Sequence, residues 1–193
     1  MVASVVGTEA SKLKQEKRWT MVSDSGRGYR RVVPSPRPLS IVEARVIRGL
    51  QRRGHRHSGW WGRHTCCVPS GRLNEWCEAV IDKDLSAALL ASDVGADMLL
   101  ILTDVENVML DYGKPTARAL SRLTRDECER YLNESQFGAG SMKPKIEAAV
   151  AFLDSGGKAA VVTSLERARE AVTLRAGTVI VPHDFSNRVM SMS

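Results

Sequence analysis

The sequence predicts an α/β domain with a largely parallel sheet. Three observations carry this. Asp97–Thr103 (DMLLILT) is a continuous apolar run bounded by polar residues, the pattern of a strand covered on both faces. Lys158–Thr163 and Gly177–Val181 supply two further segments of that kind. Between the strands lie helix-length stretches with start and stop residues at their ends. The 193 residues fit one domain and are enough to bury a substantial core.

The elements follow in chain order. Residues 9–18 (EASKLKQEKR) are charged and predict a short exposed helix, and Asp24–Pro38 is loop or edge-strand material punctuated by Gly and Pro. Ser40 reads as an N-cap for a helix over Ile41–Gln51, with Ile41, Ala44, Ile47 and Leu50 three apart on one face. A helix over Lys83–Val94 is closed by Gly95, and Val105–Leu110 adds a short strand before a turn at residues 112–115. Thr124 starts a helix, with Glu127 three residues on completing a capping box. Pro144 at a first helical position opens the next, which carries Ile146, Ala149, Val150 and Leu153 inward and ends at Gly156-Gly157. Ser164 caps a helix to about Val172, and the tail from His183 is polar. The chain contains no internal repeat.

Composition narrows the class. There are 28 Lys+Arg and 22 Asp+Glu, a net charge of +6, and the excess is confined to one side of the chain. Residues 1–77 hold 15 Lys/Arg and 5 Asp/Glu, so the remainder is net acidic. Three of the four His, three of the four Cys and three of the four Trp fall between Arg52 and Cys77, so this window differs from its surroundings. No apolar run approaches the roughly 20 residues that cross a bilayer, so no membrane partner is expected. No leader pattern opens the chain, which leads us to expect a cytoplasmic protein. Without such a leader, four Cys do not read as a disulfide framework.

Two segments can carry chemistry. In EAVIDKD (78–84), Lys83 sits between Asp82 and Asp84 at a helix start. In GSMKPK (140–145), a glycine-led loop delivers Lys145 to a helix N-terminus, where backbone N–H groups and the dipole favour anions. Two such lysines suit a substrate with several phosphate oxygens, because phosphoryl transfer needs positioning and charge stabilisation more than covalent help. Spacing alone favours the plainer reading, that both are surface residues at helix starts.

The longer motifs weigh the other way. EAVIDKD, LLILTDV, DYGKP and GSMKPKIEAAVAFL, in this order, resemble the C-terminal half of carbamate kinases of the amino-acid kinase family. DSGRGYRRVVPSPRPLSIVEA resembles the segment that enters that half, so the likeness covers about residues 9–50 and 78–181. It implies a three-layer α/β/α fold and phosphoryl transfer between carbamoyl phosphate and ADP, giving ATP and carbamate, with Mg²⁺ and within arginine catabolism. Lys83 and Lys145 match the family lysines and would neutralise the transferring phosphoryl, while Asp84 would orient both. Thr103, Asp104 and Val105 would form the ADP/ATP pocket with Tyr112, Lys114 and Met142. No protein-bound metal is implied. A folded chain would form a homodimer.

The resemblance also has departures. The family's N-terminal portion, with glycine-rich phosphate loops, has no counterpart here, so we expect impaired activity. Residues 1–38 would end a protruding subdomain, 39–182 would form the nucleotide-binding domain, and 183–193 a tail. The window 55–77 is anomalous. Trp has a single codon, TGG, so a one-base shift turns Trp60-Trp61 into Gly-Gly. Permitted codons then turn residues 55–67 into IVIAGGGGGIPVV, the apolar strand, glycine cluster and Ile-Pro of the family. We therefore expect residues about 55–77 to come from a shifted frame restored before Glu78. The gene decides this: if no single-base shift near codon 55 yields that peptide, the idea is wrong.

Rival readings follow from the same window. His55, His57, His64, Cys66, Cys67 and Cys77 match no standard zinc spacing, and adjacent Cys66-Cys67 chelate poorly. Arg45, Arg48, Arg52, Arg53, Arg56 and Arg63 with Trp60 and Trp61 resemble a nucleic-acid patch, for which only non-specific binding is expected. The alternatives to a carbamate kinase are a non-catalytic remnant of one and another amino-acid kinase acting on a carboxylate substrate. The GSMKPK and RVVPSPRP segments favour carbamate.

Overall fold

A computed structural model describes residues 5–23, 28–53, 79–138 and 142–182. The window 55–77, Gly140-Ser141 of the second lysine motif and the tail from His183 lie outside the described residues. The chain divides into two compact units, Met1–Pro36 with Gly62–Ile81, and Arg37–Trp61 with Asp82–Ser193.

In the smaller unit, helix α1 (Gly7–Lys17) ends at Arg18 in the left-handed region (φ 53°). Strands β1 (Thr20–Ser23) and β2 (Tyr29–Val32) then pair antiparallel, Thr20 opposite Val32. Trp19 receives two cations: Arg31 Cζ lies 4.2 Å from its ring centre and Lys17 Nζ lies 5.0 Å away. The helix expected over residues 9–18 is present, and part of the Gly/Pro-rich stretch is strand.

The larger unit begins with α2 (Ala44–Gln51), which buries Ala44 and half-buries Ile47 and Leu50. The predicted face is right, but the start is not. Ser40 does not cap the helix; Glu43 holds that position without a side-chain bond, and Ala44 N–H instead donates to Ile41 O. Residues 41–43 turn more tightly than an α-helix, so the helix starts three residues late. Helix α3 (Lys83–Val94) runs over the predicted residues. Asp82 Oδ1 accepts from the Asp84 and Leu85 amides at 2.8 and 3.2 Å, and Gly95 ends the helix at φ 70°.

Strand β3 (Met98–Thr103) follows, then β4 (Val108–Leu110), which pairs antiparallel with β5 (Arg118–Leu120). The predicted strand over 105–110 is shorter because 104–107 bend. Strand β6 (Arg122–Thr124) was not legible as a strand, being three residues long with a helix cap at its end. Helix α4 (Arg125–Asn133) carries the predicted capping box: Thr124 Oγ1 accepts from the Glu127 amide, and Glu127 Oε2 accepts from the Thr124 amide.

Helix α5 (Met142–Asp154) begins before Pro144, which therefore sits third rather than first. The missing N–H still falls in the first turn, where it has no helical partner to lose. Strand β7 (Ala159–Ser164) is buried throughout. After it comes a 3₁₀ turn (Leu165–Arg167) and the single-turn helix α6 (Ala168–Ala171), not one helix capped by Ser164, whose side chain makes no cap bond. Strand β8 (Thr178–Val181) is also fully buried.

The main sheet has the order β3-β7-β8-β6. Strands β3 and β7 are parallel, as are β6 and β8, while β7 and β8 are antiparallel. Alternation along the strands sorts two cores. Leu99, Ile101, Ala160, Val162 and Ile180 face α3, α4 and α5, with Ile146, Ala149 and Phe152 filling the space between. Val161, Val179 and Val181 face the other way, onto Ala171 of α6. Helices thus cover both faces, and the unit is a three-layer α/β/α domain.

Gly177 lies in the turn that enters β8 and packs against β7. A Cβ there would stand 2.6 Å from Thr163 Cβ and 2.7 Å from Val162 O, and φ is +79°. Gly177→Ala adds left-handed strain to an overpacked contact with backbone, so it should cost about 2–4 kcal/mol in urea unfolding. A cost under about 0.5 kcal/mol would show that the turn gives way easily.

Candidate functional site

The site forms where two helices of the larger unit begin. Asp82 opens α3 and so places Lys83 and Asp84 in its first turn, where the dipole favours the Asp84 carboxylate. Lys145 is the fourth residue of α5, and α5 packs along α3. That packing brings Lys145 Nζ within 2.8 Å of Asp84 Oδ2. Lys83 Nζ donates to both oxygens of the same carboxylate, at 3.3 and 3.2 Å.

The two lysines differ in burial. The Lys145 and Asp84 side chains are 8% and 11% exposed, whereas Lys83 is 66% exposed. The inner pair is therefore a desolvated charge contact whose partners depend on each other. The outer pair is water-screened and contributes little to stability. Two ammonium groups on one carboxylate leave a net positive charge beside two helix starts. Such a cluster suits a phosphoryl group.

The remaining candidates belong to the same unit: the end of β3, the segments that follow it and the first residue of α5. Thr103 ends β3 and its hydroxyl donates to Asp104 Oδ1 at 3.0 Å. Asp104 is exposed and Val105 is half-buried. Lys114 pairs with Asp111 at 2.8 Å and holds that carboxyl below the usual range. Tyr112 is 77% exposed, and Met142 packs against the core. Among the described residues, no hydrogen bond or ion pair links these six to the lysine cluster. The structure thus joins Lys83, Asp84 and Lys145, and separately Thr103 and Asp104.

Other chemistry is poorly served. Cys128 is buried, and that burial pushes its thiol up to about 12, which leaves it inert as a nucleophile. The described residues contain no group of three His, Cys, Asp or Glu that could hold a metal, and both Asp84 oxygens already accept from lysines. The donor set among the described residues does not fit a resident Mg²⁺. The His/Cys window lies outside the described residues. Sequence reasoning missed Thr163 and Thr178, buried hydroxyls in strands, because Thr in an apolar run reads simply as a strand former.

The larger unit is thus a three-layer α/β domain that joins two lysines through one carboxylate at its helix starts. The amino acid kinase family model matches residues 67–164, starting inside the anomalous window, and the chain belongs to that family. A carbamate kinase of Thermococcus kodakarensis is 45% identical over 172 residues, 89% of this chain and 55% of that protein. Carbamate kinase 3 of Staphylococcus aureus is 42% identical over 173 residues, 89% of this chain and 56% of its own length. The carbamate kinase from Giardia lamblia bound to AMP-PNP superposes with TM-score 0.75 at 36% identity, covering 93% of this chain and 57% of that one. This chain spans about half the length of the curated relatives it matches, corresponding to their C-terminal half. Among the described residues, no helix is long and apolar enough to cross a membrane.

Proposed function

We propose that this chain carries the phosphoryl-handling half of a carbamate-kinase site. The reaction moves a phosphoryl group from carbamoyl phosphate to ADP: the bond from carbamate oxygen to phosphorus breaks, and a bond from the ADP β-phosphate to phosphorus forms. ATP and carbamate are the products. The observation that carries this reading is the Lys83–Asp84–Lys145 contact. In-line transfer spreads charge over the phosphoryl oxygens, and two lysines held by one carboxylate meet that charge without reorganising. Asp84 keeps both ammonium groups aimed.

Thr103, Asp104, Val105, Tyr112, Lys114 and Met142 form the nucleotide pocket on this reading, within the domain of residues 39–182. The loop after β3 lies at the carboxyl end of a strand, where open α/β sheets bind nucleotides. Mg²⁺ arrives on the nucleotide phosphates as part of the substrate. The protein works in the cytoplasm, as a homodimer when folded.

The half-length match favours a second reading, a chain that binds nucleotide but turns over poorly by itself. A coupled assay for ATP from carbamoyl phosphate and ADP tests both. The chain alone should show little turnover. A chimera in which this chain, with its anomalous window 55–77 exchanged for the relative's own segment, replaces the matched 55% of the Thermococcus kodakarensis protein should turn over. An inactive, folded chimera would leave only the second reading.

A further inference from the structure

The loop Asp104–Asn107 leaves the end of β3 and carries two of the nucleotide-pocket residues. Its path is held from below. Thr163 of β7 lies opposite Leu102 in register and is completely buried, and its Oγ1 donates to Glu106 O at 3.1 Å. The rest of β7 before it is Ala-Ala-Val-Val, so a hydroxyl here is a departure that needs a partner to offset its desolvation. The Glu106 carbonyl is that partner.

Neighbouring contacts fix the loop's far end. Asn107 Nδ2 donates to Leu120 O at 3.2 Å. The Val108 amide donates to Thr178 Oγ1 at 2.8 Å, and that hydroxyl donates on to Leu120 O. Gly177 backs Thr163 so closely that a Cβ would stand 2.9 Å from its Oγ1, which leaves the Thr163 side chain little freedom. Arg167 Nε also lies 3.1 Å from Glu106 Oε1, but it is not aligned as a hydrogen bond. Both side chains are well exposed, so this charge contact is a weak anchor beside the buried one.

We propose that Thr163 is a positioning residue for the nucleotide site: through the Glu106 carbonyl it holds the Asp104–Glu106 loop in its binding shape without touching the nucleotide. The inference rests on the nucleotide reading above. A loop already ordered gives up less freedom on binding, so the buried bond appears as affinity. Thr163→Val keeps the shape and removes the donor, and it also leaves Glu106 O without its partner. Thr163→Ser restores the donor.

Titration calorimetry on the full chain tests this with two ligands, ADP and pyrophosphate, alongside thermal melts. Thr163→Val should weaken ADP about fivefold, the usual worth of one such bond, while pyrophosphate binding stays within about twofold. Thr163→Ser should recover most of the ADP affinity. Unchanged ADP affinity in Thr163→Val, with the unaltered chain binding ADP, would overturn the inference and leave the nucleotide reading standing. Equal weakening of both ligands without rescue by Ser would show a merely structural role and also overturn it. No ADP binding by the unaltered chain would overturn the nucleotide reading and this inference together.

Discussion

Lys145→Ala should lower phosphoryl transfer in the chimera about 10²–10³-fold and also destabilise the fold by about 2–3 kcal/mol. Both effects come from one place. The Lys145 ammonium is the buried partner of Asp84, 2.8 Å away, and in the proposed function it is one of the two charges that meet the transferring phosphoryl. Removing it leaves a nearly buried carboxylate whose remaining partner, Lys83, is largely in solvent. Lys83→Ala is the control. It should lower transfer to a similar degree, because it removes one of two charges from the transition state. Its effect on stability should stay within about 0.5 kcal/mol, since an exposed pair contributes little. Urea unfolding and coupled turnover on both variants separate the two roles. A Lys145→Ala protein with normal turnover would remove the lysine from the site, and a Lys83→Ala protein that unfolds readily would contradict its exposed position.

The second large effect is expected from Asp84→Ala, which strands the Lys145 ammonium in a desolvated position. Leaving one member of a buried pair costs about 3–5 kcal/mol. The loss should exceed that of Lys145→Ala, because Lys145 has no second carboxylate to turn to among the described residues, whereas Asp84 keeps Lys83. Asp84→Asn keeps an acceptor for both lysines and should lose less. Turnover should fall in both variants as the lysines lose their common anchor. A double-mutant cycle on Asp84 and Lys145 reads the coupling directly. Independent, additive effects at the two positions would show that the contact does not hold the site together.

Much of the candidate site was legible locally. A carboxylate-flanked lysine at a helix start and a glycine-led loop reaching a second lysine drew notice to the residues that α3 and α5 carry, but spacing alone read both as surface residues, and for Lys145, 8% exposed, that plainer reading is wrong. That Lys145 meets Asp84, 61 residues away, followed only from the family resemblance and not from spacing, because it depends on how two helices pack. Thr163 and Glu106 are a parallel case, 57 residues apart and joined only because β7 lies beside β3. Neither residue type marks a site in a linear reading.

The fold divides along the same line. Continuous apolar runs and capping residues determined the strands β3, β7 and β8, both ends of α3 and the start of α4, since hydrogen-bonding needs at a helix end are met within a few residues. The start of α2 was misread because a tight turn over Ile41–Glu43 competes with a cap on Ser40. Only the tertiary structure decided that β8 runs back against β7, that β6 joins the sheet, and that Lys145 is buried against Asp84 while Lys83 stays exposed. Local caps and apolar runs are properties of neighbours in sequence, whereas strand direction and a shared buried charge are settled when distant segments compete for the same core.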